Sequence, residues 1–204
     1  MVLVLIHRHF FPEIAMRLSF LLGALLALAS FAASADMARL PSRGAKVPLV
    51  ELHTMTQGAE EDRLVFLKRA GVWMHNYTVG TNEEVCANIC AAPNGHLSLR
   101  LTTNGSHLAC GITNRCVAGS KPTGESIHSH PHDPSFRLNA TDIAFLRDRA
   151  PGQNVQRYAT FLANAKQFSE WDYALGAGYL VADGQLLYQK GPGTATVLGD
   201  LPLP

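Results

Sequence analysis

The longest uncharged stretch of the chain, residues 18–35, determines how much of the sequence is available to fold. Leu and Ala dominate this stretch, Arg17 precedes it, and the small residues 33–35 end it in the pattern of a cleavage site. One positive charge, an apolar centre and such an end are typical of a secretory signal peptide. We therefore predict a signal peptide at residues 16–35, cut after Ala35, with an uncleaved membrane anchor as the alternative.

This segment divides the chain into parts. Residues 1–15 look like an upstream extension from a misplaced start, because signal peptides begin close to their positive charge and Met16 stands directly before it. Residues 36–47 are rich in Arg, Lys, Pro and Gly, which predicts a flexible leader. Residues 48–204 form one predicted domain, since the 169 residues left after removing 35 from 204 can bury a substantial core.

The charge balance argues against nucleic acid as a partner. The chain has 17 basic and 16 acidic residues, and residues 1–35 contain two basic and one acidic residue, so the predicted cut leaves 15 of each. A near-neutral domain offers no general attraction for phosphate backbones, and we expect no nucleic-acid binding. We expect contact with a membrane only through an uncleaved signal segment.

Cysteine usage fits an oxidising compartment. The predicted domain contains four cysteines, Cys86, Cys90, Cys110 and Cys116, and their even number indicates disulfides and a periplasmic or secreted protein. A structural zinc site is disfavoured because no C-x-x-C pair is present. In a strand Cys86 and Cys90 would lie roughly 13 Å apart, too far for a disulfide, whereas Cys110 and Cys116 could close a short loop. The sequence leaves the pairing open.

Hydrophobic periodicity and turn residues predict both strands and helices. Asn139, with Asp142 three residues later, has the pattern of a helix cap. The predicted strands cover residues 49–52, 85–91, 96–103, 108–112, 126–130, 179–181 and 185–188, the predicted helices cover residues 59–70, 139–149 and 155–168, and the C-terminal tail is predicted to be irregular. Strands separated by helices, with antiparallel hairpins, favour an α+β (mixed α/β) fold.

The densest group of potential metal ligands is His128-Ser129-His130-Pro131. With nine His among 204 residues, a His-x-His pair arises by chance about 0.4 times, and requiring Pro next lowers this to about 0.02. Residues i and i+2 of a strand point to the same face, so the two imidazoles can be presented together. Asp142, one turn into the following helix, could add a carboxylate and leave a fourth position open, as in catalytic zinc sites.

Two other interpretations of this segment remain open. It could be a His-rich surface loop, with Asp142 only closing the helix cap. It could also capture zinc or copper for its own sake, in a periplasmic His-rich metal-binding protein. His132 is one residue off the strand face, so we expect it to face solvent or to lie outside the direct ligands.

His128-x-His130-Pro131 followed by Asn139-x-x-Asp142 resembles the signature of the JAMM (JAB or MPN-plus) zinc metallopeptidases, which reads H-x-H-P, a short spacer and S-x-x-D. The resemblance implies that His128, His130 and Asp142 bind one Zn²⁺ per chain. Asn139 stands where the family usually has Ser, whose hydroxyl helps to hold the tetrahedral oxyanion. An amide N–H of Asn139 could donate in its place.

The family also has a Glu well upstream, before a strand, in a context like E-x-C-G. Here Glu84-Val85-Cys86-Ala87 is similar, with Ala87 where Gly is common. The resemblance implies that Glu84 is the general base that accepts a proton from a metal-activated water. Glu83 is the rival, but adjacent strand residues face opposite sides, so only one of the two can face a metal. Glu51 and Glu125 are weaker alternatives.

The resemblance covers about residues 75–190 and extends to bacterial JAB-like domains of unknown function. It implies an MPN-like fold, in which helices flank a central, mostly antiparallel sheet. Together with the predicted signal peptide, it indicates an exported hydrolase that cleaves an amide or isopeptide bond in a peptide, an isopeptide-linked protein or a cell-envelope peptide. A non-catalytic MPN-like binding domain is the alternative, because Asn139 departs from the family's pattern.

Overall fold

The structure is a computed structural model that describes residues 49–132, 136–149 and 166–204. The predicted signal peptide at residues 16–35 and the segments 1–15 and 36–47 lie outside these residues. In chain order the elements are β1 (Val50–Thr56), α1 (Arg63–Thr81), β2 (Cys86–Ala91), β3 (Leu97–Thr103), β4 (Lys121–Ser129), α2 (Ala140–Arg149), α3 (Glu170–Ala174), β5 (Gly178–Ala182), β6 (Gln185–Gln189) and β7 (Thr196–Asp200).

The seven strands form one open sheet in the order β1-β3-β2-β4-β5-β6-β7. Neighbouring strands are antiparallel except β4 and β5, which run parallel. This confirms the predicted α+β class with a mostly antiparallel sheet. Strand β4 is the middle strand, so its end is flanked by β2 on one side and by β5 on the other.

Helix α1 packs against one face of the sheet. Asp62 caps the helix by accepting hydrogen bonds from the backbone N–H groups of Leu64 at 2.7 Å and Val65 at 3.3 Å. Fully burying a Leu, Ile, Val, Phe or Met side chain stabilises a fold by roughly 1.5–3 kcal/mol. The apolar contacts between α1 and the sheet are therefore the main source of stability on this face. The buried apolar side chains on this face are Met55, Phe66, Leu67, Ala70, Met74, Val85, Ala87, Ile89, Leu97, Leu99, Leu101, Ile127, Tyr179, Val181, Leu186 and Leu201.

Two disulfides fix the segment between β3 and β4 to strand β2. Cys86 pairs with Cys110, and Cys90 pairs with Cys116. A disulfide between Cys110 and Cys116 is therefore excluded, because both are bonded to the strand. The two disulfides are consistent with an extracellular location. None of the helices in the described ranges combines the length and the hydrophobicity of a membrane span.

The predicted strand at residues 108–112 is wrong, because this part of the chain is irregular. Side chains of neighbouring strands bind its backbone in place of a strand ladder. Thr102 Oγ1 donates to the carbonyl of Gly111 at 2.8 Å, and Asn88 Nδ2 donates to that of Thr113 at 3.0 Å. A disulfide-bonded segment held in this way does not need a strand partner.

The C-terminal tail was predicted to be irregular, and this prediction is wrong in part. The tail contains strand β7, in which Val197 lies opposite Leu187 of β6. Positive φ values at Gly191 and Gly193 allow the turn that brings the tail back to the sheet. The first predicted helix also lies further along the chain than expected, as α1. The predicted helix at 155–168 falls outside the described residues apart from its last three, which are not helical.

Candidate metal centre

His128 and His130 lie side by side where strand β4 ends. The backbone N–H of His130 donates to the carbonyl of Val181 at 3.0 Å, which extends the pairing between β4 and β5 by one residue. The side chains share one face of the strand, as predicted, and their Nε2 atoms are 3.2 Å apart. Both rings are shielded, with side-chain exposures of 9% for His128 and 15% for His130.

Asp172 is the third member of this group. It is held in a capping box at the start of α3, in which its Oδ2 accepts from the backbone N–H of Ser169 at 2.7 Å and from the Ser169 hydroxyl at 2.8 Å. Its other oxygen, Oδ1, lies 3.5 Å from His128 Nε2. Among the described residues, His128, His130 and Asp172 form the group that could hold a metal ion, with all ligand atoms within 4.8 Å of one another.

The spacing of this group and the lowered pKa of His128 suit a metal ion. Ligand atoms at about 2.0–2.2 Å from a tetrahedral ion lie about 3.4 Å from one another, close to the distances of 3.2 and 3.5 Å found here. Burial lowers the pKa of His128, and the negative charge of Asp172 opposes this only in part. The lowered pKa favours the neutral form of His128, which is the form that binds metals.

Glu84 brings a buried carboxylate to the same place. It lies just before strand β2, where its backbone N–H donates to the carbonyl of Ser106 at 2.9 Å. Its Oε1 is 4.0 Å from His130 Nε2. Burial raises the pKa of Glu84 well above its usual value, and the negative charges of Asp172 and Asp142 raise it further. Glu84 therefore has a stronger affinity for a proton than a solvated glutamate has.

The rival carboxylates lie elsewhere. Glu83, next in the chain, accepts a hydrogen bond from the hydroxyl of Tyr77 at 2.9 Å. Glu51 is paired with Arg100, and Glu125 with Arg63. The structure thus brings Glu84, and none of these three, to the His pair. Whether Glu84 acts as a base stays a prediction at this point.

Asp142 is fully buried but is not one of the three residues whose donor atoms could together hold a metal ion. Its Oδ1 accepts from the Ser106 hydroxyl at 2.6 Å and from the backbone N–H of His107 at 2.8 Å. Its Oδ2 lies 2.7 Å from His107 Nδ1 and accepts from the backbone N–H of Asn139 at 2.8 Å. These contacts occupy both oxygens, so Asp142 joins the start of α2 to the segment between β3 and β4. Its role as a metal ligand stays a prediction.

Asn139 is the N-cap of α2, as predicted. Its Oδ1 accepts from the backbone N–H of Asp142 at 3.0 Å, and its Nδ2 donates to the carbonyl of Gly105 at 2.7 Å. One N–H of the amide is therefore engaged in holding the neighbouring segment. The predicted donation from Asn139 to an oxyanion is untested by this geometry.

The sequence did not single out Asp172, Ser106 or His107. A signal for Asp172 is nevertheless present, because Ser169-x-x-Asp172 has the capping-box pattern and also reads S-x-x-D. This pattern lies too far beyond His130 in the chain to match the short spacer that separates H-x-H-P from S-x-x-D in the JAMM signature. Ser106 and His107 follow Asn104-Gly105, a turn signal between the predicted strands at residues 96–103 and 108–112, so the sequence favours a hairpin here and gives no sign of a contact with Asp142. His132, by contrast, faces solvent as expected, with its side chain 58% exposed.

Comparison of the chain with protein-family models, with curated proteins and with solved structures gave no significant match.

Proposed function

We propose that the protein is an exported zinc-dependent hydrolase of the JAMM type, with an MPN-like fold, which cleaves an amide or isopeptide bond. The observation that carries the proposal is the buried carboxylate of Glu84. Its Oε1 lies 4.0 Å from Nε2 of His130, which is one of the three residues that could hold a metal ion. Metal capture alone requires no such carboxylate, whereas hydrolysis by activated water requires a proton acceptor beside the ion.

Two imidazoles and one carboxylate form the ligand set that we propose, from His128, His130 and Asp172. This set suits zinc among the common divalent ions, and three protein ligands leave one position for water or substrate. Zinc, when bound, lowers the pKa of a coordinated water from about 16 to about 7. His128 and His130 are held by the strand and Asp172 by its capping box, so the three donors need little rearrangement to bind.

Glu84 supplies the proton transfer in this proposal. Its raised pKa favours accepting a proton, and its shielded position keeps that proton available for the leaving amine. The substrate classes that we propose are a peptide, an isopeptide-linked protein or a cell-envelope peptide, because the JAMM resemblance implies cleavage of an amide or isopeptide bond.

The ligand set is tested by metal content after purification and dialysis. Wild type should retain about one zinc ion per chain, and His128→Ala, His130→Ala and Asp172→Asn should each lose most of it. Asp142→Asn is the matched control, because Asp142 and Asp172 both close the cap at the start of a helix. We expect Asp142→Asn to keep the ion, with the folded state of each variant checked by circular dichroism.

Retention of the ion by Asp172→Asn at wild-type affinity would contradict the proposed set. If Asp142→Asn loses the ion instead while it remains folded, the ligands are those predicted from the sequence, His128, His130 and Asp142. Loss of zinc from His132→Ala as large as that from His130→Ala would favour a simple chelating loop.

The catalytic role of Glu84 is tested by Glu84→Gln. This near-isosteric change should leave the zinc content unchanged and lower the rate of cleavage by about 10²–10⁴-fold, because the proton acceptor is removed. Glu83→Gln is the matched control and should cleave at the wild-type rate. A panel of isopeptide-linked and cell-wall-derived peptides supplies the substrates. If Glu84→Gln cleaves as fast as wild type, the mechanism is wrong.

A non-catalytic MPN-like metal-binding domain is the second candidate, because the amide of Asn139 is engaged with Gly105 and with the cap of α2. In that case wild type and Glu84→Gln should both bind zinc, and neither should cleave any member of the panel.

A further inference from the structure

Ser129 is a buried hydroxyl residue between the two histidines of the candidate metal centre. Alternate side chains of β4 point to opposite faces of the sheet, and Ile127 belongs to the apolar core beneath α1. Ser129 therefore faces α1, whereas His128 and His130 face the other side of the sheet. Ser129 is fully buried. A polar side chain in such a position needs hydrogen-bond partners.

The hydroxyl group of Ser129 joins three elements of the fold. Its Oγ accepts a hydrogen bond from the backbone N–H of Val85 at 3.0 Å and lies 2.7 Å from Oγ1 of Thr78, a buried residue of α1. The backbone N–H of Ser129 donates in return to the carbonyl of Val85 at 2.9 Å. Val85 comes directly before β2, so Ser129 connects the start of β2 with the end of β4 and with α1.

The register of the sheet places this contact beside Glu84. Strands β2 and β4 are antiparallel, and their pairing continues through Val85 and Ser129. The next residues beyond that pair, Glu84 and His130, are thus brought opposite each other. Glu84 Oε1 lies 4.0 Å from His130 Nε2. The position of the carboxylate relative to the histidine therefore depends on how Val85 is held by Ser129.

The two histidines also have a support on the other side of β4. Strand β4 pairs in parallel with β5, and the backbone N–H of His130 donates to the carbonyl of Val181 at 3.0 Å. Loss of the Ser129 hydroxyl leaves this pairing intact, but it removes a hydrogen-bond acceptor from the segment that carries Glu84. We therefore expect the effect of that loss at Glu84 rather than at the candidate ligands.

We propose that Ser129 is a positioning residue, whose hydroxyl group holds the start of β2 so that the Glu84 carboxylate faces the candidate metal centre. The inference rests on the proposed hydrolase function, in which Glu84 is the proton acceptor. Proton transfer requires hydrogen-bond distances, and a displacement of about 1 Å can lower a rate about 10²-fold. Ser129 itself takes no part in the proton transfer.

Steady-state kinetics of Ser129→Ala test the proposal, on a peptide of the panel that wild type cleaves. We expect kcat to fall about 10–10²-fold, while KM and the zinc content stay at the wild-type values. In a Glu84→Gln background the same change should have no further effect, because the residue through which Ser129 acts has been replaced. A general weakening of the fold would instead lower the rate by the same factor in both backgrounds.

Amide hydrogen exchange of the metal-free protein supplies a measurement that does not depend on cleavage. The Val85 amide should exchange at least about tenfold faster in Ser129→Ala than in wild type. Exchange at Leu180, which is fully buried in β5 between β4 and β6, should be unchanged. Ser98→Ala is the matched control, because Ser98 is also a buried strand residue but its hydroxyl contacts Ser120 at 3.5 Å. It should match wild type in kcat and in exchange at Val85.

The outcomes separate this inference from the proposed function. Equal kcat in wild type and Ser129→Ala, loss of zinc from Ser129→Ala, or unchanged exchange at Val85 would each overturn the inference and leave the hydrolase in place. If wild type cleaves no member of the panel, the proposed function fails, and the role of Ser129 fails with it. If Ser129→Ala does not fold, Thr78→Val removes the other hydroxyl group of the contact. Thr78→Val should also lower kcat with KM unchanged, and a wild-type kcat in this variant would contradict the proposal.

Discussion

Glu83 and Glu84 are adjacent in the chain but serve different parts of the molecule. Glu83 accepts a hydrogen bond from Tyr77, and Glu84 is buried beside His130. The sequence could predict this difference, because alternation along an extended chain is a local property. The cost of burying the carboxylate could not be predicted in the same way. It depends on Asp172 and Asp142, which come from distant parts of the chain.

The raised pKa of Glu84 has a measurable effect on the stability of metal-free protein. Its folded pKa lies above the value of 4.5 for the unfolded chain. Above pH 4.5 the unfolded chain therefore loses this proton first, and the free energy of unfolding decreases as the pH rises toward the folded pKa. Glu84→Gln cannot ionise. We expect it to be more stable than wild type at pH 7 and equally stable at pH 4, in urea unfolding with a chelator present.

Two features isolate this effect from others. The pKa of His128 is lowered in the folded state, so protonation of the unfolded chain lowers the free energy of unfolding as the pH falls below 6.5. This effect is present in wild type and in Glu84→Gln alike. Glu83→Gln changes the neighbouring carboxyl group. We expect this variant to show no increase in the free energy of unfolding that is present at pH 7 and absent at pH 4. A difference between Glu84→Gln and wild type that is the same at pH 4 and pH 7 would show that ionisation of Glu84 is not its cause.

At the scale of elements, the sequence predicted what depends on neighbouring residues. Three features follow from short-range patterns and are all present: strand β4, which contains His128 and ends directly before His130, the cap of α2 at Asn139, and the hairpin of β5 and β6. The central part of the site, two imidazoles on one strand face, could thus be predicted from the spacing of two residues.

The third residue of the candidate metal centre, Asp172, is placed by the topology of the sheet, which short-range patterns do not contain. Asp172 reaches His128 because β5, which follows α3, pairs in parallel with β4. Buried Gln189 of β6 then holds the helix, as its Nε2 donates to the carbonyls of Asp172 at 3.3 Å and Gly176 at 2.6 Å. A five-residue helix has little stability of its own, so its position is set by these contacts rather than by its sequence.

The segment between β3 and β4 shows the same limit. Its apolar residues 108–112 have a strand pattern, but its two disulfides to β2 fix its path instead. That path brings Ser106 and His107 to Asp142, where they contact its two carboxylate oxygens. Because four cysteines allow three pairings, the sequence could not specify this path.

At the scale of the whole molecule, the structural evidence on location comes from the cysteines. Their two disulfides are consistent with an extracellular location. The absence of nucleic-acid binding, expected from the near-neutral charge, stays a prediction. The signal peptide at residues 16–35 lies outside the described residues and stays a prediction. Oxidation of the cysteines also bears on the candidate metal centre, because the disulfide between Cys86 and Cys110 holds the segment that contacts Asp142.

Export can be tested by intact-mass analysis of the protein recovered from the periplasm or the medium. If residues 16–35 are a cleaved signal peptide, the chain should begin at Asp36, and its mass should be lower than that of the reduced form by four hydrogen atoms. Replacing Ala33 and Ala35 with bulky residues should block cleavage, because these positions require small side chains. Recovery of a chain that retains residues 18–35 in the membrane fraction, with four free thiols, would contradict both the export and the oxidised state.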